Sequence, residues 1–229
     1  MTRDESRLPP WACVLAVVAH PDDESFGLGA VISAFIDTGA RVDVLCFTKG
    51  EASTLRGVEG DLATIRRGEL TDAARALGIA NVHLLDYPDG GLTNEDLTEL
   101  AEHVVGVARE AGSDGILAFD TTGITGHEDH IRATKAAVFA APILGLDVLA
   151  WTLPDEVATE LRTTLHGDFR GRSGQDIDFV IGVDRARQQA AVQCHPSQAV
   201  PSSALWQRLD LLGDQEYLRW LVRQENATT

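Results

Sequence analysis

Apolar positions along this chain fall in short blocks, and two kinds of block alternate. Residues 11–19 form an unbroken apolar run that suits a strand covered on both faces. Residues 24–38 read as a helix stopped by Gly39, and 41–48 as a second strand. Residues 61–77 have the spacing of an amphipathic helix, with Gly78 as its C-terminal cap. A short strand follows at 82–86, then a helix at 94–111 with Asn94 as its N-cap. Residues 115–119 read as a strand, followed by a glycine-containing loop and a helix near 130–141. A fifth strand is expected at 146–151.

Strands that alternate with helices predict a parallel sheet with helices on both faces, a Rossmann-like three-layer α/β sandwich. Beyond Pro154 the pattern loosens. Residues 157–165 and 176–183 fit two strands or a short helix plus a strand, 184–194 a helix, and 201–223 one or two more helices. The expectation is a single domain: a core over 11–151 and a small C-terminal extension over 152–229 that completes the pocket. Residues 167–175, rich in Gly and Arg, read as a mobile surface loop.

Composition narrows the partners. The 229 residues are 44% hydrophobic, enough for a sizeable core, and carry a net charge of −16. Such a surface repels nucleic acid and anionic membrane, so neither is expected as a partner. The first ten residues lack the pattern of a secretory signal, and no apolar run is long enough to span a bilayer, so a soluble, cytoplasmic protein is expected. Cys13, Cys46 and Cys194 form no C-x-x-C pair and read as packing residues in a reducing compartment.

Two clusters carry the chemistry. His20, Pro21, Asp22, Asp23 and Glu24 follow the first strand, and His127, Glu128, Asp129 and His130 follow the 115–119 strand. Ligands of open parallel sheets bind at the carboxyl ends of strands, so neighbouring strands would bring both clusters into one crevice. Two histidines and a carboxylate supply three metal ligands and leave positions for water and substrate. Three consecutive carboxylates also repel one another unless a cation sits among them, and they make a poor cradle for a dinucleotide pyrophosphate. Gly27 and Gly29 are only a fragment of the dinucleotide fingerprint.

Further patterns run in a fixed order. They are Thr48 to Glu51 (T-K-G-E), Arg66 with Glu69, Leu85 to Leu92 (L-D-Y-P-D-G-G-L), Gly126 to His130 (G-H-E-D-H) and His195 to Gln198 (H-P-S-Q). With the opening A-H-P-D-D-E at 19–24, this ordered set resembles the PIG-L/LmbE-like zinc-dependent de-N-acetylases. The resemblance implies a Rossmann-like fold and Zn²⁺ held by His20, Asp23 and His130, with Fe²⁺ an alternative occupant. It also implies Asp22 as general base and His127 as the group that stabilises the tetrahedral oxyanion. In that scheme His127 acts best as imidazolium, paired with Asp129. Arg66 is expected to clamp a substrate hydroxyl or carboxylate, the competing reading being an ion pair with Glu69. Asp89 and His195 are expected at the substrate, although Asp89-Gly90 is also a plain turn signal. Glu24 fits either a bond to a ligand histidine or the first turn of a helix.

The expected activity is zinc-dependent hydrolysis of an N-acetyl or N-acyl group from an amino sugar or related small molecule. The competing readings are an amidase on a larger thiol-cofactor or natural-product conjugate, a non-haem Fe(II) enzyme, and a non-catalytic metal-binding protein. The partner is a small-molecule N-acyl amine. A homo-oligomer follows from the resemblance alone.

Overall fold

The computed structural model describes residues 7–55 and 57–224. Its strands are β1 (Cys13–Val18), β2 (Arg41–Thr48), β3 (Asn81–Tyr87), β4 (Gly115–Phe119), β5 (Asp147–Thr152), β6 (Phe179–Gly182) and β7 (Gln215–Val222). The helices are α1 (Asp23–Phe26), α2 (Gly29–Asp37), α3 (Leu62–Leu77), α4 (Leu97–Ala111), the single turn α5 (Gly123–Gly126), α6 (Glu128–Leu144), α7 (Asp155–Leu165), α8 (Ala186–Val192) and α9 (Ala204–Leu212).

All six residues of β1 are buried, because the strand is central and covered on both faces. Alternate side chains then feed two cores. Val14, Ala16 and Val18 pack with Leu28, Ile32, Phe35, Leu70 and Leu77 on one side. Leu15 and Val17 pack with Leu100, Val104 and the alanines of α6 on the other. This is the layered α/β arrangement that the alternating blocks predict.

The seven-stranded sheet has the order β3-β2-β1-β4-β5-β7-β6. Strands β1 to β5 are parallel, and β7 runs antiparallel to both β5 and β6. The chain builds outward from β1 through β2 to β3, then returns to add β4 on the other side. That reversal leaves a crevice between the carboxyl ends of β1 and β4, where both chemical clusters emerge.

Several local expectations change. The helix expected over 24–38 is split into α1 and α2 at Gly27, where the Phe119 ring lies so close that an added Cβ would be 2.5 Å from it. Asn94 ends a 3₁₀ turn, and α4 is capped by Asp96, whose side chain accepts from the Thr98 N–H at 2.8 Å. The expected helix at 201–223 is α9 followed by the strand β7. The inward register of β7 includes Glu216 with Leu218, and a carboxylate there hides the alternation a strand would show. The 167–175 loop is pinned rather than loose. Arg172 grips Asp120 through Nε (3.0 Å) and Nη2 (2.7 Å), its N–H donates to Leu153 O, and Phe169 is buried. Gly78 does cap α3, with φ 87°. No helix among the described residues is long and apolar enough to cross a membrane.

The start of β4 illustrates how tightly the sheet is closed at its lower edge. Trp11 stacks on Phe35 with centroids 5.6 Å apart and lays its indole across Gly115, where an added Cβ would meet Cε2 at 2.2 Å. Gly115→Ala is therefore expected to lower stability by about 1–3 kcal/mol, seen as an earlier urea midpoint with unchanged slope. Gly106→Ala in α4, whose Cβ meets nothing within 4 Å, should instead raise stability by roughly 0.5–1 kcal/mol.

Candidate active site

After β1 the chain turns sharply at Asp22, whose φ of 116° and ψ of −26° lie outside the regions side-chain-bearing residues favour. The Asp22 N–H donates to Glu24 Oε2 at 2.9 Å, and this bond holds the turn. Glu24 is itself held from below. His195 Nε2 donates to Glu24 Oε1 at 2.8 Å, and the Ser25 hydroxyl donates to the same oxygen at 2.6 Å. His195 and Glu24 are both fully buried. Burial opposes charge on His195, but Glu24 beside it outweighs that and raises its pKa above the ordinary value. His195 thus lies beneath the pocket, where it supports the Asp22 turn, and not at the substrate surface where the sequence reading expected it. Glu24 serves neither a ligand histidine nor merely a helix dipole.

Three donor atoms converge on one point. His20 Nδ1 lies 3.2 Å from His130 Nε2, His130 Nε2 lies 3.1 Å from Asp23 Oδ1, and His20 Nδ1 lies 3.7 Å from Asp23 Oδ2. Ligands about 2.0–2.2 Å from one tetrahedral ion stand roughly 3.3–3.6 Å apart, so the spacing suits a small divalent metal. The remaining atoms of these side chains are already committed. Asp23 Oδ2 accepts the N–H groups of Ala19 and His20 at 3.1 and 2.9 Å. His130 Nδ1 donates to Gly123 O at 3.1 Å, and His20 Nε2 faces Asp89 Oδ1 at 3.0 Å and Asp129 Oδ2 at 3.3 Å. With both outer nitrogens carrying protons, two ring lone pairs and a carboxylate oxygen face one another, which a cation resolves. A proton on His20 would compete with that cation: burial opposes charge there, yet Asp129, Asp89 and Asp23 outweigh it and push its pKa up to about 10. Burial likewise opposes charge on Asp23, and the neighbouring His130 and His20 hold it well below the usual carboxylate range. His20, His127 and Asp129 form a second, overlapping group with metal-ligand spacing.

Asp129 has other work. Its fully buried carboxylate accepts the Gly90 N–H at 2.7 Å and the Leu92 N–H at 3.1 Å, besides facing His20. The Pro-Asp-Gly-Gly turn after β3 is therefore clasped to the start of α6, and Asp89 is carried onto His20. Asp89 is tied in turn to the loop after β2, since Ala52 N–H donates to its Oδ2 at 2.9 Å and its own N–H donates to Glu51 Oε1 at 3.0 Å. The expected carboxylate pairing of Asp129 with His127 is not among these bonds. Instead the Asp129 N–H donates to His127 Nδ1 at 3.2 Å, so His127 caps α6 and keeps its proton on Nε2. Burial, with His130 and His20 nearby, lowers the His127 pKa, which favours a neutral donor over the expected imidazolium.

Arg66 and Glu69 lie on the buried face of α3, but they do not form the ion pair with each other that their three-residue spacing would allow. Arg66 Nη2 meets Asp22 Oδ2 at 3.0 Å and also donates to Pro21 O, while Nη1 donates to Gly50 O at 2.7 Å. Glu69 accepts the N–H and hydroxyl of Ser197 at 2.8 and 2.6 Å. Burial raises the Asp22 pKa to about 6, against the pull of Arg66 and with the push of Asp23.

These groups surround a cavity of about 540 Å³. Asp22, Asp23, His20, His127 and His130 line its floor. Arg66, Asp89 and Gly90 line one side, and Phe26, Phe119, Ile124 and Trp151 another. Two features had escaped the sequence reading. The Glu24–His195–Glu69–Ser197 support was legible only as scattered motif residues, since its partners are up to 171 positions apart. Arg208, on α9, lines the same cavity and carried no motif at all.

Residues 15–141 match the family described as PIG-L: GlcNAc-PI de-N-acetylase. The chain is 33% identical to a 1D-myo-inositol 2-acetamido-2-deoxy-alpha-D-glucopyranoside deacetylase of Salinispora arenicola, over 84% of this chain and 78% of that protein. It is similar in structure to the N,N'-diacetylchitobiose deacetylase of Pyrococcus horikoshii, with a TM-score of 0.67 and 22% identity over 92% of this chain and 84% of that one. It is similar also to a zinc-inhibited form of teicoplanin deacetylase, with a TM-score of 0.66 and 21% identity over 91% of this chain and 97% of that one. Those two likenesses concern the fold, while the family match covers more than half of this chain and includes both clusters at the strand ends. The chain belongs to the PIG-L, GlcNAc-PI de-N-acetylase family.

Proposed function

We propose that this N-deacetylase holds one zinc ion through His20, Asp23 and His130 and removes an acetyl or other small acyl group from the nitrogen of an amino sugar. The observation that carries this reading is the convergence of His20 Nδ1, His130 Nε2 and an Asp23 oxygen, with the second atom of each ligand already bonded elsewhere. Amide hydrolysis needs no electron transfer, so a redox-inert ion suffices. The mixed nitrogen and oxygen donor set also accepts Fe²⁺. A divalent ion there would polarise the acyl carbonyl and ease deprotonation of water.

The chain's own groups complete the reaction. Arg66 engages Asp22 at Oδ2, which leaves Oδ1 to take the proton of the attacking water. His127, its tautomer set by the Asp129 N–H on Nδ1, offers Nε2–H to the oxyanion as the carbonyl carbon becomes tetrahedral. Asp22 then passes its proton to the departing nitrogen, the C–N bond breaks, and a carboxylic acid and a free amine remain. Arg66 is in this scheme a positioning residue for Asp22, and Asp89 orients His20. Asp129 does the same for His20 and His127, and His195 acts through Glu24 on the Asp22 turn.

Chelation should abolish hydrolysis of an N-acetylated amino sugar, and Zn²⁺ should restore it. Metal analysis should find one ion per chain, lost in His20→Ala and His130→Ala; equal metal content in those variants and the wild type would overturn the site. Asp22→Asn should keep the metal and lose roughly 10²–10⁴-fold in kcat. A wild-type rate in that variant would remove Asp22 as the base.

A further inference from the structure

Among the described residues two arginines line the cavity, and they are placed differently. Arg66 spends its charge on Asp22. Arg208 reaches the cavity from α9 across the face of Trp151, with its guanidinium carbon 5.1 Å from the ring centroid. Its one hydrogen bond among the described residues runs from Nη2 to the Phe26 carbonyl. Its Nε is buried without a hydrogen-bond partner, and no carboxylate among the described residues pairs with it. Glu216, whose charge Arg208 feels from within the core, is already taken: Oε1 by Arg185 at 2.5 Å and Oε2 by the Trp151 indole at 2.6 Å. Burial lowers the Arg208 pKa to about 10, against the pull of Glu216 and, more weakly, of Asp22 and Asp23.

Even a half-buried cation without a paired anion is costly, and a backbone carbonyl could be served by a neutral donor. The guanidinium instead opens onto the pocket with donors to spare, in the fork geometry that fits carboxylate or phosphate oxygens. The rings of Phe26, Phe119 and Trp151 line the cavity with it, and an apolar wall lowers the local dielectric and strengthens an ionic contact. Resting on the deacylase reading above, we propose that Arg208 binds a carboxylate or phosphate carried by the substrate, so that the pocket selects anionic N-acyl amines over neutral ones. The anion has two sources: the amine portion, as in a sugar phosphate, or the acyl group, as in a dicarboxylic half-amide.

The test compares kcat/KM of the zinc-loaded chain, by release of free amine, for N-acetylglucosamine, N-acetylglucosamine 6-phosphate and N-succinylglucosamine. One of the two anionic substrates should exceed the neutral one by roughly 10- to 100-fold, the range of a hydrogen bond to a charged group. Which one gains tells which side of the amide carries the anion. Arg208→Gln and Arg208→Met should bring the ratio to about one, while Arg208→Lys keeps part of it. A wild-type enzyme that prefers neutral N-acetylglucosamine to both, or a ratio that survives in Arg208→Gln, overturns the proposal. If a variant fails to fold, the wild-type ratio still decides. If none of the three is hydrolysed, the deacylase reading is in question, and tryptophan-fluorescence titration separates the two ideas. Tighter binding of N-acetylglucosamine 6-phosphate than of N-acetylglucosamine, lost in Arg208→Gln, supports the anion site without turnover; equal binding overturns it.

Discussion

The active site depends on one buried carboxylate. Asp129, fully enclosed at the start of α6, receives backbone N–H groups from Gly90 and Leu92 and faces His20. Through those bonds the ends of β1, β3 and β4 are drawn to a common point. An ionised carboxylate in that position is stable only while all its partners are present, so the three loops are set together or not at all. The metal-ligand spacing of His20 follows from this, because Asp129 and Asp89 fix its Nε2 side and leave Nδ1 toward Asp23 and His130.

A second support works on the backbone. Asp22 occupies a conformation that costs free energy, and the Glu24 side chain offsets that cost by accepting its N–H. Glu24 is buried with His195, which comes from the far end of the chain, and Ser197 ties the same segment to Glu69 on α3. The Asp22 turn therefore rests on a polar layer beneath it, closed only when the segment after α8 docks. This gives the histidine of the H-P-S-Q pattern a place below the pocket, bonded to Glu24. Arg66 completes the arrangement from the side by engaging Asp22 and the carbonyls of Pro21 and Gly50.

The C-terminal third contributes a different kind of feature. Strand β7 inserts antiparallel between β5 and β6 and carries Glu216 inward, where it bonds Trp151 and Arg185. That frees the Trp151 face toward the cavity for Arg208 of α9. The floor and the aromatic wall of the pocket are thus built from the parallel half of the sheet and its loops, and the added elements contribute Gln198 and Arg208 to its lining.

By itself the sequence determined the central strands, the helices between them and the positions of both chemical clusters. Those features are local: a continuous apolar run makes β1, a periodic stripe makes α3, and a glycine ends it. The ordered motifs also marked His20, Asp22, Asp23, His127 and His130, which the fold does bring into one cavity. Only the tertiary structure decided what the remaining motif residues touch. His195 lies below the pocket, Asp129 clasps the turn after β3 instead of pairing its carboxylate with His127, and Arg66 holds Asp22. Those outcomes depend on contacts between residues far apart in the chain, which no periodicity records. For the same reason β7 was hidden by an inward glutamate, and Arg208 by a helix whose spacing says nothing about what lies across from it.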